Sequence, residues 1–465
     1  MSVTMAERVE QRRTAAERAG AERTGRSAEE RGVARRAGWL HVVSHLDPKY
    51  GGLSAVVPEL ARAVAAAQER AVAQGFAGEQ ESAGAGGRPG AKTSGARPAI
   101  AAFCAAGEVP GAVAGVDVSA WPSSRLAWLR DGRMRASFEE LVGRSTGVHI
   151  HGLWEGSTAM AVRAARRAGR PYVISAHGML EPWALANKRW KKQIYGALLE
   201  RSQVAGASAL HALTEAEVED YRRFGAQQRV AVIPNGVRIP ERAGAAATGA
   251  ELFFAQYPGL KGKRLVLFLG RIHFKKGLDL LVEAWRRVQA AHPEARLVLA
   301  GPDFEGTRAV VERQIAELGV KSTVCWTGML RGAEKWSAMA AAEAFVLPSY
   351  SEGLSVSALE AMGMGLPVIL TTHCHLPEAA RAGAGWEIPA EATALAGALE
   401  TVLRNPAAVN RAMGENGRRL VRERFAWEVV GSQMRALYDS VEAAWTGGAD
   451  AERGAARVAD KGDAR

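Results

Sequence analysis

Acidic and small residues follow an apolar run in the second half of the chain. The run ending at Leu347 predicts a strand, and Ser351–Glu360 comes soon after it. Glu352 would lie in the loop, and the next helix would begin with three backbone amides, those of Gly353, Leu354 and Ser355. Unpaired amides at a helix start bind anions such as phosphate, and Glu360 could accept hydrogen bonds from ribose hydroxyls. The alternative is a capped surface helix whose glutamates face water.

A basic loop follows another apolar run, Leu265–Leu269. The next residues, Gly270–Gly277, include Arg271 and Lys276. A diphosphate leaving group concentrates negative charge and needs fixed cations when no metal is present. To neutralise it, Arg271 offers a planar guanidinium group and Lys276 a localised ammonium charge. Lys275 is the substitute if Lys276 points away. A solvated basic loop is the alternative.

Two further loops are weaker candidates. Gly51 and Gly52 follow the first predicted strand, where paired glycines let the backbone approach a ligand, although most such pairs are simply turns. His149, His151 and Trp154 lie at the end of a later strand that would face a cleft. An isolated histidine in that position is more often structural than functional.

Motifs for other kinds of chemistry are absent or out of context. Gly143–Gly147 matches the hydrolase pattern G-x-S-x-G, but it follows a helix and precedes a strand, the reverse of what that elbow requires. Neither a P-loop nor a G-x-G-x-x-G motif after a strand is present, which argues against NTP hydrolysis and dinucleotide binding. No D-x-D pair offers metal ligands, and the adjacent side chains of His373–His375 would alternate away from each other. We therefore predict no metal site.

Bulk properties indicate a globular protein with a basic surface. The net charge of +11 would attract anionic membranes or phosphorylated molecules, but no run of pure Lys/Arg or other recognition motif predicts nucleic-acid binding. No stretch of eighteen apolar residues predicts a membrane span. The N-terminal residues lack an apolar core typical of secretory signals, and three scattered cysteines fit a reducing cytoplasm. Trp183–Lys192 could rest on the inner face of an anionic membrane, or bury Trp190 and expose its lysines.

Short β-type runs alternate with amphipathic helical runs through both halves of the chain. Wholly apolar strands in such a series predict parallel sheets covered by helices on both faces. The fold class is therefore α/β, with two Rossmann-like βαβ domains that face each other across a cleft. Within the first domain we predict a helix over Leu53–Ala66 and a capping box between Thr214 and Glu217.

Composition sets the predicted boundaries of these domains. Segments rich in Ala, Gly, Ser and charge cannot bury a core, which predicts disordered tails and a flexible surface insertion. The predicted segments are a disordered tail at 1–37, an N-terminal domain at 38–240 with the insertion at about 68–98, a linker at 241–262, a nucleotide-sugar-binding C-terminal domain at 263–425, a helix that packs back at 426–446, and a disordered tail at 447–465.

Taken together, the motifs resemble those of the retaining glycosyltransferases of family 4, whose GT-B fold consists of two facing Rossmann-like lobes. The resemblance covers about Trp39 to Tyr438. Five features carry it: the E-x7-E pair Glu352 and Glu360, the R-x4-K pair Arg271 and Lys276, the glycine loop at Gly51 and Gly52, the turn Pro234–Val237, and the histidine loop Ser175–Met179. The combination is much more specific than any single motif.

The resemblance implies a role for each matched position. Arg271 and Lys276 would neutralise the diphosphate of a nucleotide-sugar donor, Glu360 would hold its ribose, and Glu352 would bind its sugar hydroxyls. His177 would face the donor sugar near the reacting carbon. Further donor-binding positions would be Gly51, Gly52, Asn235, Gly353, Leu354 and Ser355, with His151 and Trp154 on the acceptor side.

The resemblance also implies a chemical outcome. The acceptor would be a glycan or lipid-linked sugar in polysaccharide biosynthesis, the anomeric configuration would be retained, and the departing phosphate would take the acceptor proton without a metal or other cofactor. The chain departs from many relatives at Arg238, where they have Asp. The alternatives are a nucleotide-sugar epimerase, a phosphorylase-like enzyme on the same fold, or a non-catalytic subunit that binds nucleotide sugars or glycans.

Overall fold

The structure is a computed structural model that describes residues 38–46, 52–82, 97–104, 111–123, 131–182, 185, 200–240 and 249–462. The predicted N-terminal tail and most of Trp183–Lys192 lie outside this part of the chain.

The first half forms a lobe around a seven-stranded parallel sheet. Its strand order is β3-β2-β1-β4-β5-β6-β7, so the chain runs outward from β1 to β3 and then returns to place β4 on the other side of β1. The described elements of this lobe are β1 (Leu40–Val43), α1 (Gly52–Ser82), β2 (Ala99–Cys104), β3 (Asp117–Pro122), α2 (Gly132–Arg144), β4 (Val148–His151), α3 (Gly156–Arg167), β5 (Tyr172–Ser175), α4 (Arg201–Ala205), β6 (Ala209–Ala212), α5 (Glu215–Phe224) and β7 (Val230–Val232).

The second half forms a lobe around a six-stranded parallel sheet with the order β10-β9-β8-β11-β12-β13. The same reversal occurs here, because β11 lies on the other side of β8 from β9. The described elements are α6 (Glu251–Gln256), β8 (Arg264–Leu269), α7 (Leu278–Val288), β9 (Ala295–Ala300), α8 (Thr307–Glu317), β10 (Val324–Gly328), α9 (Gly332–Ala341), β11 (Ala344–Leu347), α10 (Val356–Met364), β12 (Val368–Thr371), α11 (Glu378–Arg381), β13 (Gly385–Ile388), α12 (Ala392–Arg404), α13 (Ala407–Leu420) and α14 (Trp427–Gly462).

Apolar burial explains why these segments form strands. Every residue of β1, β4, β5 and β6 is buried, as is every residue of β11 and β12. A strand buried on both faces needs helices above and below the sheet, and the intervening amphipathic helices supply them. α7 illustrates the pattern, since it buries Leu278, Leu281, Val282, Trp285 and Val288 on one side. The predicted α/β class and two-lobe GT-B architecture are thus confirmed.

The last helix returns to the first lobe. α14 packs on α1, and its residues Trp427, Val430 and Met434 join a buried cluster with Trp39 and Leu60. Gly236 makes room for this crossing, because a Cβ there would collide with the ring of Trp427. The core of the first lobe therefore contains residues from both ends of the described chain.

The structure corrects three predicted boundaries. α1 does not end at Ala66 but continues to Ser82, so the first part of the 68–98 insertion is helix and not loop. The stretch 249–262, predicted as linker, contains α6 and a 3-10 turn at Pro258–Leu260. α14 continues to Gly462, where a tail from 447 was predicted. Alanine explains the misplaced ends in the first and last cases, since it favours helix without an apolar pattern.

None of the helices in the described part of the chain combines the length and apolar composition that a membrane crossing requires.

Candidate active site

A cleft lies where the reversal points of the two sheets face each other. In an open parallel sheet, ligands bind beyond the carboxyl ends of the strands where the strand order reverses. The loops after β1 and β4 contribute Ser44 and Glu155 from the first lobe, and those after β8 and β11 contribute Lys276 and Glu352 from the second. Together with their neighbours they enclose a cavity of about 590 Å³.

Most of the predicted site residues line this cavity. The structure brings together His177, Arg271, Lys276, Glu352, Gly52, Asn235, Gly353 and Leu354, with Lys275 beside them. They come from five segments spread over about 300 residues of sequence. Gly51 lies outside the described residues.

Four predicted residues do not line the cavity. Ser355 is the N-cap of α10, where its hydroxyl accepts a hydrogen bond from the Ala358 amide at 3.3 Å. Glu360 forms an ion pair with Lys335, with 2.6 Å between Nζ and Oε1, instead of lying open to a ribose. Burial raises the pKa of Glu360, and Lys335 opposes this increase.

The two residues assigned to the acceptor side lie behind the cavity wall. Both ring nitrogens of His151 are engaged by other histidines, because Nδ1 lies 3.0 Å from His177 Nε2 and Nε2 lies 3.0 Å from His41 Nδ1. Trp154 donates its indole N–H to the carbonyl oxygen of Met179 at 3.3 Å and its backbone N–H to Glu200 at 2.9 Å. The strand end was correctly located, but these side chains turn into the lobe.

Glu352 is held as an anion by two donors. Its Oε1 accepts hydrogen bonds from the Lys276 ammonium group and from the Ser349 hydroxyl, the latter at 2.7 Å. Burial alone would raise the pKa of Glu352, but the charge and hydrogen bond of Lys276 lower it below its usual value. The pair connects the loops after β8 and β11, which the sequence separates by 76 residues.

Backbone geometry brings these two loops together. Gly277 follows Lys276 with φ of 65°, and a Cβ there would collide with the carbonyl oxygen of Pro348. The Tyr350 amide also donates to the carbonyl oxygen of Lys275 at 2.7 Å. A left-handed glycine is therefore required where the basic loop meets the loop that carries Glu352.

The start of α10 offers hydrogen-bond donors to an anion. The amides of Gly353 and Leu354 have no hydrogen-bond partner within the described part of the chain, and both residues line the cavity. The N-terminus of the helix adds its partial positive charge at the same point. The cations Arg271 and Lys276 line the same cavity, and the guanidinium carbon of Arg271 lies 5.3 Å from the ring centre of Phe304.

The histidine loop is strained and anchored. His177 has φ of 53°, which is costly for any residue other than glycine and concentrates at functional sites. The next amide, that of Gly178, donates to Glu217 Oε1 at 2.6 Å, and Glu217 Oε2 accepts from the Leu213 amide at 2.6 Å. The Glu217 carboxylate thus anchors this loop and does not complete the predicted capping box, although Thr214 does accept from the Glu217 amide at 3.3 Å.

His177 is neutral in this environment. Burial, together with the nearby charge of His211, lowers the pKa of His177 to about 3. A neutral imidazole can donate or accept one hydrogen bond at its free nitrogen, but it does not add positive charge to the cleft.

Three histidines offer one geometric candidate for a metal among the described residues. Nitrogens of His41, His149 and His151 lie within 4.8 Å of one another. His149 uses both nitrogens, since Nδ1 lies 2.6 Å from the Tyr438 hydroxyl and Nε2 lies 2.6 Å from Ser175 Oγ. With His151 engaged as well, His41 Nε2 is the one ring nitrogen of these three histidines without a partner among the described residues, so the group is better described as a hydrogen-bonded network.

Contacts made across the cleft leave no signal in the sequence. Ser351 of the second lobe donates a hydrogen bond to Glu181 of the first, and Gly353 lies directly against Gly178. Glu155 also lines the cavity. The one hint of a role for Glu181 in the sequence is its position four residues after His177. Nothing near it indicates a partner 170 residues away.

Comparison with known proteins adds two family matches. The family described as glycosyl transferase 4-like domain matches residues 51–236, and glycosyl transferases group 1 matches residues 251–420. The first match falls on the first lobe and the second on the second lobe.

Individual relatives are similar over parts of the chain. The GDP-mannose:cellobiosyl-diphosphopolyprenol alpha-mannosyltransferase of Xanthomonas campestris is 30% identical over 224 residues, which are 48% of this chain and 55% of that protein. The chain thus spans about half the length of this relative. The D-inositol 3-phosphate glycosyltransferase of Segniliparus rotundus is 29% identical over 358 residues, 72% of this chain and 74% of that protein.

A solved structure shares the fold. The sucrose-phosphate synthase of Thermosynechococcus elongatus superposes with a TM-score of 0.66 and 21% identity, over 88% of this chain and 100% of that one. At this identity the similarity concerns the fold alone.

Proposed function

The chain belongs to glycosyltransferase family 4, and on that premise we propose that it transfers a sugar from a nucleotide diphosphate sugar to a glycan or lipid-linked acceptor. The proposal includes retention of the anomeric configuration, no requirement for a metal, and a role in polysaccharide biosynthesis at the cytoplasmic side of a membrane. The name of the Xanthomonas relative supports the classes of donor and acceptor, since it specifies GDP-mannose and a diphosphopolyprenol-linked cellobiose.

One observation carries the proposal. The cations Arg271 and Lys276 line the same cavity as the unpartnered amides of Gly353 and Leu354. Fixed cations and amides directed at one point are suited to a diphosphate whose charge increases as its bond to the sugar breaks. His177 lines the same cavity, on the opposite lobe.

The proposed reaction balances without another reagent. The bond between the sugar C1 and the β-phosphate oxygen breaks, and the acceptor hydroxyl oxygen forms a bond to C1 on the same face. The acceptor proton passes to the departing phosphate oxygen, which leaves as a nucleoside diphosphate. Arg271 and Lys276 stabilise its charge, and neutral His177 offers a hydrogen bond to the sugar.

A thermal-shift screen tests the donor site. We expect one class among UDP-, GDP-, ADP- and dTDP-sugars to raise the melting temperature in the presence of EDTA, because a ligand that binds the folded state stabilises it by mass action. Arg271→Ala should abolish the shift, whereas Arg313→Ala, on the exposed side of α8, should preserve it. No shift with any donor would overturn the proposal, and a shift that needs Mg²⁺ or Mn²⁺ would overturn its metal-free form.

The proposed retention of the anomeric configuration is tested on the reaction product. With the donor identified, NMR of the product formed on an acceptor should show the anomeric configuration of the donor. Inverted configuration would refute retention, and interconversion of donor sugars without an acceptor would identify an epimerase instead.

A further inference from the structure

Two chains of hydrogen-bonded groups run through the core of the first lobe. One contains Tyr438, His149, Ser175 and His211 and ends at the carbonyl oxygen of Ile233. The other contains His41, His151 and His177, of which His177 lines the cleft. All five histidines have lowered pKa values because of burial, so each ring is neutral and carries its one proton on either Nδ1 or Nε2.

A carbonyl oxygen determines the direction of the first chain. It can only accept, so His211 Nε2, 2.7 Å from Ile233 O, carries the proton and His211 Nδ1 accepts from Ser175. Ser175 Oγ in turn accepts from His149 Nε2, and His149 Nδ1 accepts from the Tyr438 hydroxyl. Every proton in this chain is therefore assigned.

The second chain has no such terminus, and two directions satisfy its internal bonds. In one, His41 Nδ1 donates to His151 Nε2, His151 Nδ1 donates to His177 Nε2, and His177 carries its proton on Nδ1. In the other, every proton moves to the opposite nitrogen, and His177 leaves Nδ1 as an acceptor. The near-coplanar rings of His41 and His151, 8° apart, suit a direct bond in either direction.

The surroundings of His41, at the buried end of this hydrogen-bonded chain, distinguish the two directions. His41 Nε2 is buried and has no partner in the described part of the chain. The second direction would place an N–H there without an acceptor, whereas the first leaves only an unused lone pair. Buried N–H groups without an acceptor are rarer in proteins than acceptors without a donor.

We propose that His41 and His151 are positioning residues that hold His177 as its Nδ1–H tautomer, so that the cleft presents a neutral N–H donor at this point. The ligand group it selects is an acceptor oxygen, either a hydroxyl or a phosphate oxygen; that this oxygen belongs to a donor sugar rests on the function proposed above. Neither positioning residue needs to touch the ligand.

The tautomer is measured directly by nitrogen NMR of the full chain labelled with ¹⁵N-histidine. His177, assigned by the loss of its signals in His177→Asn, should show a protonated Nδ1 and an unprotonated Nε2. His211 should show the reverse and acts as an internal reference, because a carbonyl oxygen fixes it. A protonated Nε2 on His177 in the wild-type protein would overturn the proposal, and this measurement needs no substrate.

A variant tests the role of His41. His41→Asp places a carboxylate, which can only accept, opposite His151 Nε2, so the direction of the bonds should reverse: His177 should carry its proton on Nε2, and kcat/KM should fall by about tenfold. His292→Gln, at a histidine paired with Glu400 far from the cleft, should change neither quantity. An unchanged His177 tautomer in folded His41→Asp would refute the positioning role. Absence of nucleotide-sugar binding with the expected tautomer would count against the proposed function alone.

Discussion

Lys276 has a partner that competes with any anionic ligand. Its ammonium group bonds to Glu352, whose second donor is Ser349. When a diphosphate draws Lys276 away, Glu352 loses part of the attraction that lowers its pKa and becomes free to accept other hydrogen bonds, such as those of sugar hydroxyls. One side-chain exchange would thus serve both ends of a nucleotide sugar.

Removal of this cation should affect turnover more than binding. We expect Lys276→Ala to lower kcat by about a hundredfold, since the charge on a departing phosphate is greatest in the transition state. Steady-state kinetics with the donor found in the thermal-shift screen measure the effect. Lys261→Ala, an exposed cation of the same lobe, provides the matched control. Full activity in Lys276→Ala would indicate that Lys275, and not Lys276, stabilises the charge on the departing phosphate.

A buried carboxyl group beneath the Gly152–Glu155 loop makes stability depend on pH. Burial raises the pKa of Glu200 to about 7. The hydrogen bond that Oε1 accepts from the Trp154 amide opposes this increase. The second oxygen is buried without a partner among the described residues. The folded state therefore binds a proton more tightly than the unfolded state, so the contribution of Glu200 to stability is greatest below about pH 4.5 and is lost as pH rises through about 7.

Glu200→Gln should remove this dependence. The neutral amide resembles the protonated acid, so we expect little change at pH 5 but a gain of roughly 1–3 kcal/mol in unfolding free energy at pH 8. Urea denaturation at both pH values measures the difference. Glu312→Gln, an exposed partner of Arg308, should change neither value by more than about 0.5 kcal/mol. An equal effect at both pH values would contradict the titration argument.

Local spacing predicts a residue's position better than its partner. The sequence located Arg271, Lys276 and Glu352 at strand ends, and all three line the cleft. It did not reveal that Glu360 pairs with Lys335, because that contact depends on how α9 and α10 are rotated against each other. The inward orientation of the His151 side chain could not be predicted from the sequence either, since alternation along a strand does not show which face of the strand the lobe will bury.

Among the secondary-structure elements, strongly apolar segments were predictable and small-residue segments were not. The predicted run Leu265–Leu269 lies within β8, and the predicted run ending at Leu347 ends where β11 ends. β2 went unrecognised because Ala99–Cys104 is half alanine, which has weak strand propensity, yet it is fully buried between β1 and β3. Its assignment depends on its neighbours in the sheet and not on its own sequence.

The turn after the basic loop tolerates only glycine. Gly277→Ala should lower the unfolding free energy by roughly 2–4 kcal/mol, because it combines a left-handed backbone with a collision against Pro348. Gly397→Ala is the matched control: it lies within α12, where a Cβ meets nothing within 4 Å, and should stabilise by roughly 0.5–1 kcal/mol. Chemical denaturation measures both. Equal effects would show that the loop can relax around a methyl group.

For the whole molecule, the lobes are joined by two passages of chain and by contacts across the cleft. Val237 pairs with Ala426 where the passages run side by side. Arg238 forms an ion pair with Glu59 of α1 at 3.0 Å. This exposed pair keeps the first passage against the first lobe and contributes little stability by itself.

The return of α14 should make the first lobe sensitive to mutations in the last helix. A Cβ at Gly431 would collide with the carbonyl oxygen of Ala63 on α1, so Gly431→Val should separate the two helices. Hydrogen exchange measured by mass spectrometry should then increase in β1, β4 and β5 while β8, β11 and β12 stay protected. Ser432→Ala, the exposed neighbour, is the control. A uniform increase over both sheets would contradict an effect specific to one lobe.

The same helix imposes an order of events during synthesis. A ribosome releases the chain from its N-terminus, and domains generally fold as they emerge. The second lobe up to Phe425 is continuous in sequence and can close its core as soon as it is released. The first lobe is made earlier but must wait for Trp427, Val430 and Met434 before the cluster around Trp39 is complete. The half of the protein that is translated first is therefore the half that finishes folding last.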